Sequence, residues 1–256
     1  MTNEMLKGKK GLVIGIANDQ SIAWACAKAL RQAGATLGGT WQSDKARPHV
    51  EPLLESIDAD IRLPLDVADD AQLELVFDAV ARQWGRLDFL LHSIAFAPKQ
   101  DLHGRVVDCS RDGFLTAMDV SCHSFLRIAR SAEPLMTDGG SLMTMSFLGA
   151  QEVVPHYGLM GPVKAALESA VRYCAAELGP SSIRVNTISP GPIATRAASG
   201  LAEFPALLTD YGQRAPLRAP LTIDDVGPLC AFLASDHAKS ITGMTMYVDG
   251  GYHLLN

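Results

Sequence analysis

The sequence predicts an α/β protein with a doubly wound, seven-stranded parallel sheet. Seven short apolar runs rich in β-branched residues alternate with amphipathic stretches along the whole chain. Apolar runs of this kind are typical of strands that helices cover on both faces. No repeat, low-complexity segment or linker divides the chain. We therefore expect one domain over residues 1–256, with helices on both faces of the sheet.

The strands and helices can be placed along the chain. The predicted strands are residues 11–16, 35–41, 61–67, 87–95, 141–147, 183–189 and 244–250. Amphipathic stretches predict helices at residues 21–34, 70–85 and 164–179. The first two end at a glycine, as helices often do. Residues 96–110 and 190–221 are expected to be irregular. Both follow the carboxyl ends of strands, where open α/β sheets bind ligands.

Composition excludes several classes of protein. At 256 residues, folding buries roughly 70–75% of the surface of the unfolded chain. The net charge of −6 argues against a general nucleic-acid binder. Five scattered cysteines without a C-x-x-C motif predict reduced thiols, and the histidines lack metal-ligand spacing. The first apolar run is too short for a signal sequence or a membrane span, so we expect a cytoplasmic protein without a metal.

The first strand, turn and helix point to a nucleotide. The dinucleotide fingerprint contains three glycines, and the stretch GLVIGIANDQSIAWACA keeps one of them, Gly15. Ser21 lies where it would cap the following helix, whose free N–H groups would suit a pyrophosphate. A tight turn with a simple cap is the alternative.

The end of the second strand bears on the choice of cofactor. An acidic residue there often binds the ribose of NAD, and an arginine nearby can accommodate the 2′-phosphate of NADP. Gln42 stands at this place, and Lys45 and Arg47 follow it. A neutral amide can bind a hydroxyl but offers a phosphate no charge. We therefore predict NADH, with NADPH the less favoured cofactor.

Tyr157 and Lys164 form a candidate catalytic pair. Seven residues along a helix return to nearly the same face, but roughly 10 Å further along the axis. A half-buried tyrosine with a packing role is the alternative. Pro162 lies between the two residues and would disturb a helix interior. We expect a distorted or 3₁₀-like start, with the regular helix beginning near Val163.

Several motifs in this order resemble the enoyl-acyl-carrier-protein reductases, a divergent branch of the short-chain dehydrogenase/reductase superfamily. The likeness covers residues 7–252 and rests on the motifs G-x-x-x-x-x-S-I-A (15–23), D-V (66–67), HSIAFAP (92–98), Y-x-x-M-x-x-x-K (157–164), SPGPIATRAASG (189–200) and VDGGY (248–252). It implies a Rossmann-type sheet, a nicotinamide cofactor and usually a homotetramer. The implied reaction is reduction of the C2=C3 double bond of enoyl thioesters on acyl-carrier protein, in fatty-acid synthesis.

The resemblance also implies roles for the candidate pair. Tyr157 hydrogen-bonds the thioester oxygen as it becomes an enolate, and Lys164 holds the nicotinamide ribose. Ketone reductases of the superfamily keep their tyrosine four residues before the lysine, and here that place is Met160. Phe147 stands where many members carry a second tyrosine, so it keeps the aromatic wall without the hydroxyl. The wide spacing thus favours an enoyl reductase over a ketone reductase.

The remaining site residues follow from the same motifs. The expected cofactor contacts are Gly15, Ser21, Ile22, Gln42, Asp66, Val67, Ser93, Ile94, Ala95, Lys164, Gly191, Ile193 and Thr195. The expected substrate contacts are Ala97, Tyr157, Met160, Leu201 and Phe204. Residues 190–221 are expected to form a mobile substrate lid, with a helical pair packed on the core as the alternative.

The substrate portal departs from the family pattern. The stretch after the lid motif adds Glu203 and Asp210 where relatives often carry cations. Acyl-carrier proteins are acidic, so either Arg196, Arg214 and Arg218 serve docking, or the carrier binds weakly and coenzyme A thioesters are accepted. Two rival functions stay open: a non-catalytic dinucleotide sensor or scaffold, and a reductase of a non-fatty enone.

Overall fold

The computed structural model describes residues 4–196, 198–201 and 203–255. All seven predicted strands are confirmed within two or three residues at their ends, and they form one parallel sheet in the order β3-β2-β1-β4-β5-β6-β7. The strands are β1 (Lys10–Ile14), β2 (Thr36–Trp41), β3 (Ile61–Pro64), β4 (Phe89–His92), β5 (Gly140–Met145), β6 (Ile183–Pro190) and β7 (Thr245–Val248).

Helices separate the strands. The α-helices of the described residues are α1 (Ile22–Gln32), α2 (Arg47–Ser56), α3 (Asp70–Trp84), α4 (Lys99–Leu102), α5 (Arg111–Met118), α6 (Ser124–Ala132), α7 (Met160–Leu178), α8 (Phe204–Arg214) and α9 (Gly227–Ala234). One π-helical turn, Asp119–His123, joins α5 to α6. No helix in the described ranges combines the length and the apolarity needed to cross a membrane.

Alternating side chains of the strands build a core on each face of the sheet. In β1, Leu12 and Ile14 pack with apolar side chains of α3, α6 and α7, whereas Val13 packs with those of α1 and α9. This alternation follows from the two-residue period of a strand. Strand order reverses between β1 and β4, and the crevice at such a switch point is where doubly wound sheets bind their ligands.

Both stretches predicted to be irregular contain a helix: α4 lies within residues 96–110, and α8 lies within residues 190–221. Residues 198–200 form a 3₁₀ turn, and α8 follows over Phe204–Arg214 with Phe204 and Tyr211 buried. The Pro205 side chain does not prevent this helix. It lies in the first turn of α8, where a proline removes no hydrogen bond. Ala197 and Ala202 lie outside the described residues.

The start of α7 also differs from the sequence prediction. The helix begins at Met160, three residues earlier than expected, so Pro162 lies in its first turn. The N–H groups of a first turn have no partner within the helix, so the proline costs α7 no hydrogen bond. The expected tightening is found just before the helix, where Met160 N donates to Tyr157 O and Gly161 N to Gly158 O, both in the i→i+3 pattern.

Candidate active site

Gly15 lets the first turn lie directly against β4. Its φ is +104°, and a Cβ atom there would be 2.2 Å from the backbone oxygen of Ser93. Ser93 N in turn donates to Ile14 O at 2.9 Å. A side chain at residue 15 would therefore push β4 away from the turn. Glycine is required here by both backbone conformation and space.

Ser21 occupies the N-cap position of α1 but does not act as expected. Its hydroxyl donates to Asn18 O at 2.7 Å and accepts from Ala17 N at 3.5 Å. Its side chain accepts no hydrogen bond from the first turn of the helix. The sequence prediction of a side-chain cap was wrong because the hydroxyl closes the preceding turn instead. In the first turn, Trp24 N donates to Ser21 O at 3.0 Å, whereas Ile22 N and Ala23 N have no hydrogen-bond partner among the described residues.

The ends of β2 and β3 carry the residues expected to bear on cofactor choice. Gln42 is exposed directly after β2. Arg47 is engaged by Glu51 through two hydrogen bonds of 2.8 and 3.1 Å and lies over the Trp41 ring at 5.8 Å. Lys45 and Arg47 are the two cations that follow Gln42, and the second of them is thus paired with a carboxylate.

Asp66 and Val67 follow β3 at the same edge of the sheet. Asp66 Oδ1 accepts from Ala68 N at 3.0 Å, which forms a local turn. The Val67 side chain is buried in the core, and its carbonyl oxygen accepts from Arg127 Nη2 at 2.6 Å. Val67 can therefore approach a ligand only through its backbone, whereas sequence reasoning had treated the two residues alike.

Most of the predicted cofactor residues meet in one cavity of about 190 Å³ at the carboxyl ends of the strands. The tyrosine–lysine pair and Phe147 line it as well. The predicted residues in its lining are Ile22, Ser93, Ile94, Ala95, Phe147, Tyr157, Lys164, Gly191, Ile193, Thr195, Leu201 and Phe204. Gly15, Gln42, Asp66 and Val67 lie outside this lining, just after β1, β2 and β3, and Ser21 lies outside it at the N-cap of α1.

Tyr157 lies before α7 rather than on it. His156 and Gly158 on either side both have positive φ, +63° and +56°. The helical spacing considered for Tyr157 and Lys164 therefore does not apply, because the backbone between them is not a continuous helix. The Tyr157 ring contacts Phe147, with centroids 4.8 Å apart at 56°. It also covers Gly149, where a Cβ atom would lie 2.3 Å from Tyr157 Cδ1.

Tyr157 and Lys164 are both buried, and burial changes their acidity. Burial, and to a smaller degree the charge of Glu168, raises the pKa of Tyr157, so the phenol stays protonated at neutral pH. Burial lowers the pKa of Lys164 to about 8. Lys164 Nζ donates to Met145 O at 2.7 Å, which fixes the ammonium at the end of β5.

A second groove of about 480 Å³ adjoins the cavity. Ala97, Met160 and Leu201, all predicted substrate contacts, line this groove, and Phe204 lines the cavity instead. Tyr157 lines both spaces. A chain lying in the groove would therefore reach the cavity beside the Tyr157 ring.

Sequence reasoning missed His92, which is fully buried at the end of β4. His92 Nε2 and Nδ1 lie 2.9 Å from Ser124 Oγ and 2.8 Å from Thr144 Oγ1. Burial and then the charge of Lys164 lower the pKa of His92 to about 3, so the ring is neutral. Ser124 donates to Val120 O, so it accepts from His92 Nε2–H, and Nδ1 accepts from Thr144. A histidine in an apolar strand gives no signal of such partners.

The π-helical turn contributes a further contact that the sequence did not indicate. Ser121 Oγ accepts from Phe96 N at 2.8 Å and donates to Phe96 O at 2.9 Å. Both polar groups of one backbone residue are thereby held by one hydroxyl. This contact fixes the loop after β4, which carries Ala95 and Ala97. π-Helical turns of this kind are frequent at functional sites.

The fold and the site define a dinucleotide-dependent oxidoreductase of the short-chain dehydrogenase/reductase type. The family model described as Enoyl-(Acyl carrier protein) reductase matches residues 15–253, and the chain belongs to this family. It is 46% identical over 249 residues to an enoyl-[acyl-carrier-protein] reductase [NADH] of Rhizobium meliloti, which covers 97% of this chain and 92% of that protein. Identity to the corresponding Nostoc enzyme is 47%, over 98% of both chains.

Solved structures give the same result. The enoyl reductase of Anaplasma phagocytophilum in complex with NAD is 46% identical, with a TM-score of 0.93 over 98% of this chain and 94% of that one. The Bacillus cereus enzyme with NADP⁺ and an indole naphthyridinone is 42% identical, with a TM-score of 0.96 over 98% and 99%. The family resemblance drawn from the motifs is thereby confirmed.

Proposed function

We propose that this chain reduces the C2=C3 double bond of trans-2-enoyl thioesters on acyl-carrier protein with NADH, in fatty-acid elongation. The proposal depends most on Tyr157, a protonated phenol at the junction of the cavity and the groove. Among the residues that the structure describes, none is hydrogen-bonded to its hydroxyl. The hydroxyl is therefore available to a substrate oxygen.

The residues around the crevice fit a dinucleotide. Gly15 brings the backbone of the first turn close to β4, and Ile22 N and Ala23 N at the start of α1 have no partner among the described residues, which suits a pyrophosphate. Gly191 is closely packed as well, since a Cβ atom there would lie 2.7 Å from Leu221 Cδ1. The exposed amide of Gln42 suits a ribose hydroxyl, and Arg47 is already engaged by Glu51. These features favour NADH.

Tyr157 stabilises the charge that forms on the substrate. When bound, the reduced nicotinamide supplies a hydride to C3 of the enoyl group. The C2=C3 electron pair moves towards the thioester, and negative charge collects on its oxygen. Tyr157 donates a hydrogen bond to that oxygen, and the high pKa of the phenol keeps its own proton in place. C2 then takes a proton, which completes the reduction.

Lys164 adds a fixed positive charge to the cavity that Tyr157 also lines. Its ammonium is held by Met145 O at 2.7 Å and has two further N–H donors. One of them can hold a ribose hydroxyl of the cofactor. In a buried site the remaining charge favours the enolate over the neutral thioester. Phe147 supplies no second hydroxyl, so stabilisation of the oxygen rests on Tyr157 and Lys164.

The groove is proposed to hold the acyl chain, with residues 190–221 as its lid. The 3₁₀ turn at residues 198–200 and α8 place Leu201, Phe204 and Leu207 over the cavity. His103 Nε2 lies 2.8 Å from Gly200 O and links the loop after β4 to this turn across the groove. A substrate that enters along the groove would displace or lengthen this contact.

The carrier protein is proposed to dock on the side of the groove that lies opposite α8. Glu203 and Asp210, with Glu152, line a separate pocket beside α8 and make that side acidic. Lys99 and His103 line the mouth of the groove itself. An acidic carrier would be attracted to the cationic side. Arg214, one of the three arginines expected to serve docking, is paired with Asp210 at 3.1 Å.

A homotetramer is proposed from family membership, with the outer faces of α5, α6 and α7 as contacts between copies. Leu115, Leu126 and Tyr173 are 52%, 37% and 69% exposed on these helices. Sedimentation equilibrium would test the assembly, and a monomer would contradict it.

Turnover with both carriers tests the proposed reaction. Oxidation of NADH, followed by its near-ultraviolet absorbance, is measured with a medium-chain trans-2-enoyl thioester on acyl-carrier protein and on coenzyme A. We expect turnover with NADH that falls roughly 10²–10³-fold in a Tyr157→Phe protein. Tight NADH binding without turnover on either carrier would contradict the proposal and favour a dinucleotide sensor. Turnover confined to a non-fatty enone would replace the substrate class.

A further inference from the structure

Glu168 is a buried carboxylate one helical turn beyond Lys164 on α7. It is 4% exposed. Its Oε1 accepts from Ser146 Oγ at 2.6 Å, and its Oε2 accepts from Gln151 Nε2 at 3.1 Å. Both neighbours act as donors, which suits an ionised carboxylate because that group can only accept. A carboxylate is rarely buried without such partners.

The two donors stand at the ends of the segment that supports Tyr157. Between Ser146 and Gln151 lie Phe147 and a 3₁₀ turn over residues 148–150. Phe147 packs on the Tyr157 ring, and Gly149 lies beneath it with no room for a Cβ atom. The position of the phenol therefore depends on the position of this segment. Glu168 holds the segment at both ends from a rigid helix.

We propose that Glu168 is a positioning residue, which holds residues 146–151 against the Tyr157 ring and supplies the negative charge that balances Lys164. This inference rests on the proposed function, because it concerns the same phenol and the same ammonium. Glu168 acts through Ser146 and Gln151, and neither it nor these two neighbours contacts the reacting atoms.

The charges around Lys164 support the second half of the inference. The titratable groups that act on it or feel its charge come from three elements: His92 from β4, Cys122 from the π-helical turn and Glu168 from α7. His92 is neutral, since its pKa is about 3, and burial raises the pKa of the Cys122 thiol. Glu168 is the carboxylate of this set, and it stands four residues from Lys164 on α7, a spacing at which helical side chains are neighbours.

Two kinds of variant separate the two roles. Glu168→Gln keeps the size of the side chain and can keep a hydrogen bond to each neighbour after rotation of the amide, but it removes the charge. Ser146→Ala keeps the charge and releases one end of the segment. Glu177→Gln, an exposed carboxylate on the same helix, is the matched control.

For each protein, kcat and KM are measured, and kcat is also measured as a function of pH. In Glu168→Gln we expect the loss of activity at alkaline pH to begin roughly one pH unit lower, because Lys164 loses its counter-charge. In Ser146→Ala we expect kcat to fall roughly tenfold, because a displaced Tyr157 ring costs about 1.4 kcal/mol in the transition state alone. The KM for NADH and the alkaline limb of the pH profile should stay unchanged. Glu177→Gln should match the wild type.

A readout that needs no turnover keeps this inference separate from the proposed reaction. Fluorine NMR of meta-fluorotyrosine at position 157 should give one sharp signal in the wild type and a shifted or broadened one in Ser146→Ala. A wild-type signal in Ser146→Ala, or unchanged pH profiles in Glu168→Gln, would overturn the inference. If Glu168→Gln does not fold, Gln151→Met and Ser146→Ala test whether the two hydrogen bonds hold residues 146–151 in place. A wild-type fluorine signal in both variants would overturn the inference. Failure of the wild-type enzyme with enoyl thioesters would instead overturn the proposed function.

Discussion

The rings of Phe147 and Tyr157 lie 4.8 Å apart at an interplanar angle of 56°. Tilted aromatic pairs at this distance are worth roughly 0.5–1.5 kcal/mol beyond the area they bury. Phe147 leaves β5 and Tyr157 precedes α7, so the contact joins the ends of two elements around the proposed catalytic phenol. The phenylalanine therefore orients the tyrosine, although it brings no hydroxyl of its own.

Replacement of Phe147 should separate packing from chemistry. We expect Phe147→Tyr to keep kcat within about threefold of wild type, since the ring contact is retained. Phe147→Leu should lower kcat by roughly 2–10-fold, the kinetic equivalent of the lost ring contact. Steady-state kinetics with NADH would measure both. A large gain in kcat for Phe147→Tyr would mean that a missing hydroxyl limits the reaction.

Gly15→Ala should lose cofactor binding. The new methyl group would lie 2.2 Å from Ser93 O, on a backbone with φ of +104°. We expect the affinity for NADH, measured by quenching of protein fluorescence, to fall at least tenfold, together with a lower melting temperature. Gly104→Ala is the control, because φ is +117° there and a Cβ atom would meet nothing within 4 Å. Equal loss in both variants would point to backbone strain alone.

Lys164 predicts opposite effects of alkaline pH on activity and on stability. Its pKa of about 8 in the folded protein lies below the ordinary 10.5, so the unfolded chain binds more protons between these values. The contribution of Lys164 to the free energy of unfolding thus rises from about pH 8 to 10.5. Activity should fall roughly tenfold per pH unit over that range, as the ammonium is lost.

The same pH series on Lys239→Met gives the control, since that lysine is exposed and lines neither the cavity nor the groove. Its profile of kcat/KM should overlay the wild type. An activity that stays level up to pH 10 in the wild-type enzyme would show that a charged Lys164 is not needed.

The cofactor preference should respond to Glu51. Glu51 holds Arg47 through two hydrogen bonds on the surface beside Trp41. Glu51→Gln should free the guanidinium and raise kcat/KM for NADPH relative to NADH, by about fivefold at most, since exposed ion pairs are weak. Glu55→Gln on the same helix serves as the control. A fall in the NADPH ratio would place the phosphate elsewhere.

The proposed docking side can be tested by charge reversal. We expect Lys99→Glu to raise the KM for the carrier-bound substrate several-fold at low salt, and to leave the KM for the coenzyme A thioester unchanged. Lys239→Glu should change neither. If Arg218→Glu, beyond α8, raises the carrier KM instead, the carrier docks on the α8 side.

Much of the site could be predicted because it lies in motifs that are local in sequence. Ser93 to Ala95 follow β4, and Gly191 to Thr195 follow β6, so parallel strands bring both groups to one edge of the sheet. Ser21 shows where this reasoning ends. Its N-cap place was predicted, but its hydroxyl turns to Asn18 O, because side-chain rotamers depend on the neighbouring turn.

The sequence by itself determined the alternation of strands and helices, the carboxyl-end location of the site and the family, since these depend on apolar periodicity and on motif order. Only the tertiary structure decided how Tyr157 is held. Its ring is positioned by left-handed backbone at His156 and Gly158, and by a segment that is hydrogen-bonded to Glu168. Ser146, at the start of that segment, lies 22 residues before Glu168 in the sequence. Contacts between residues so far apart in sequence leave no periodic trace, because they arise only once the chain has packed.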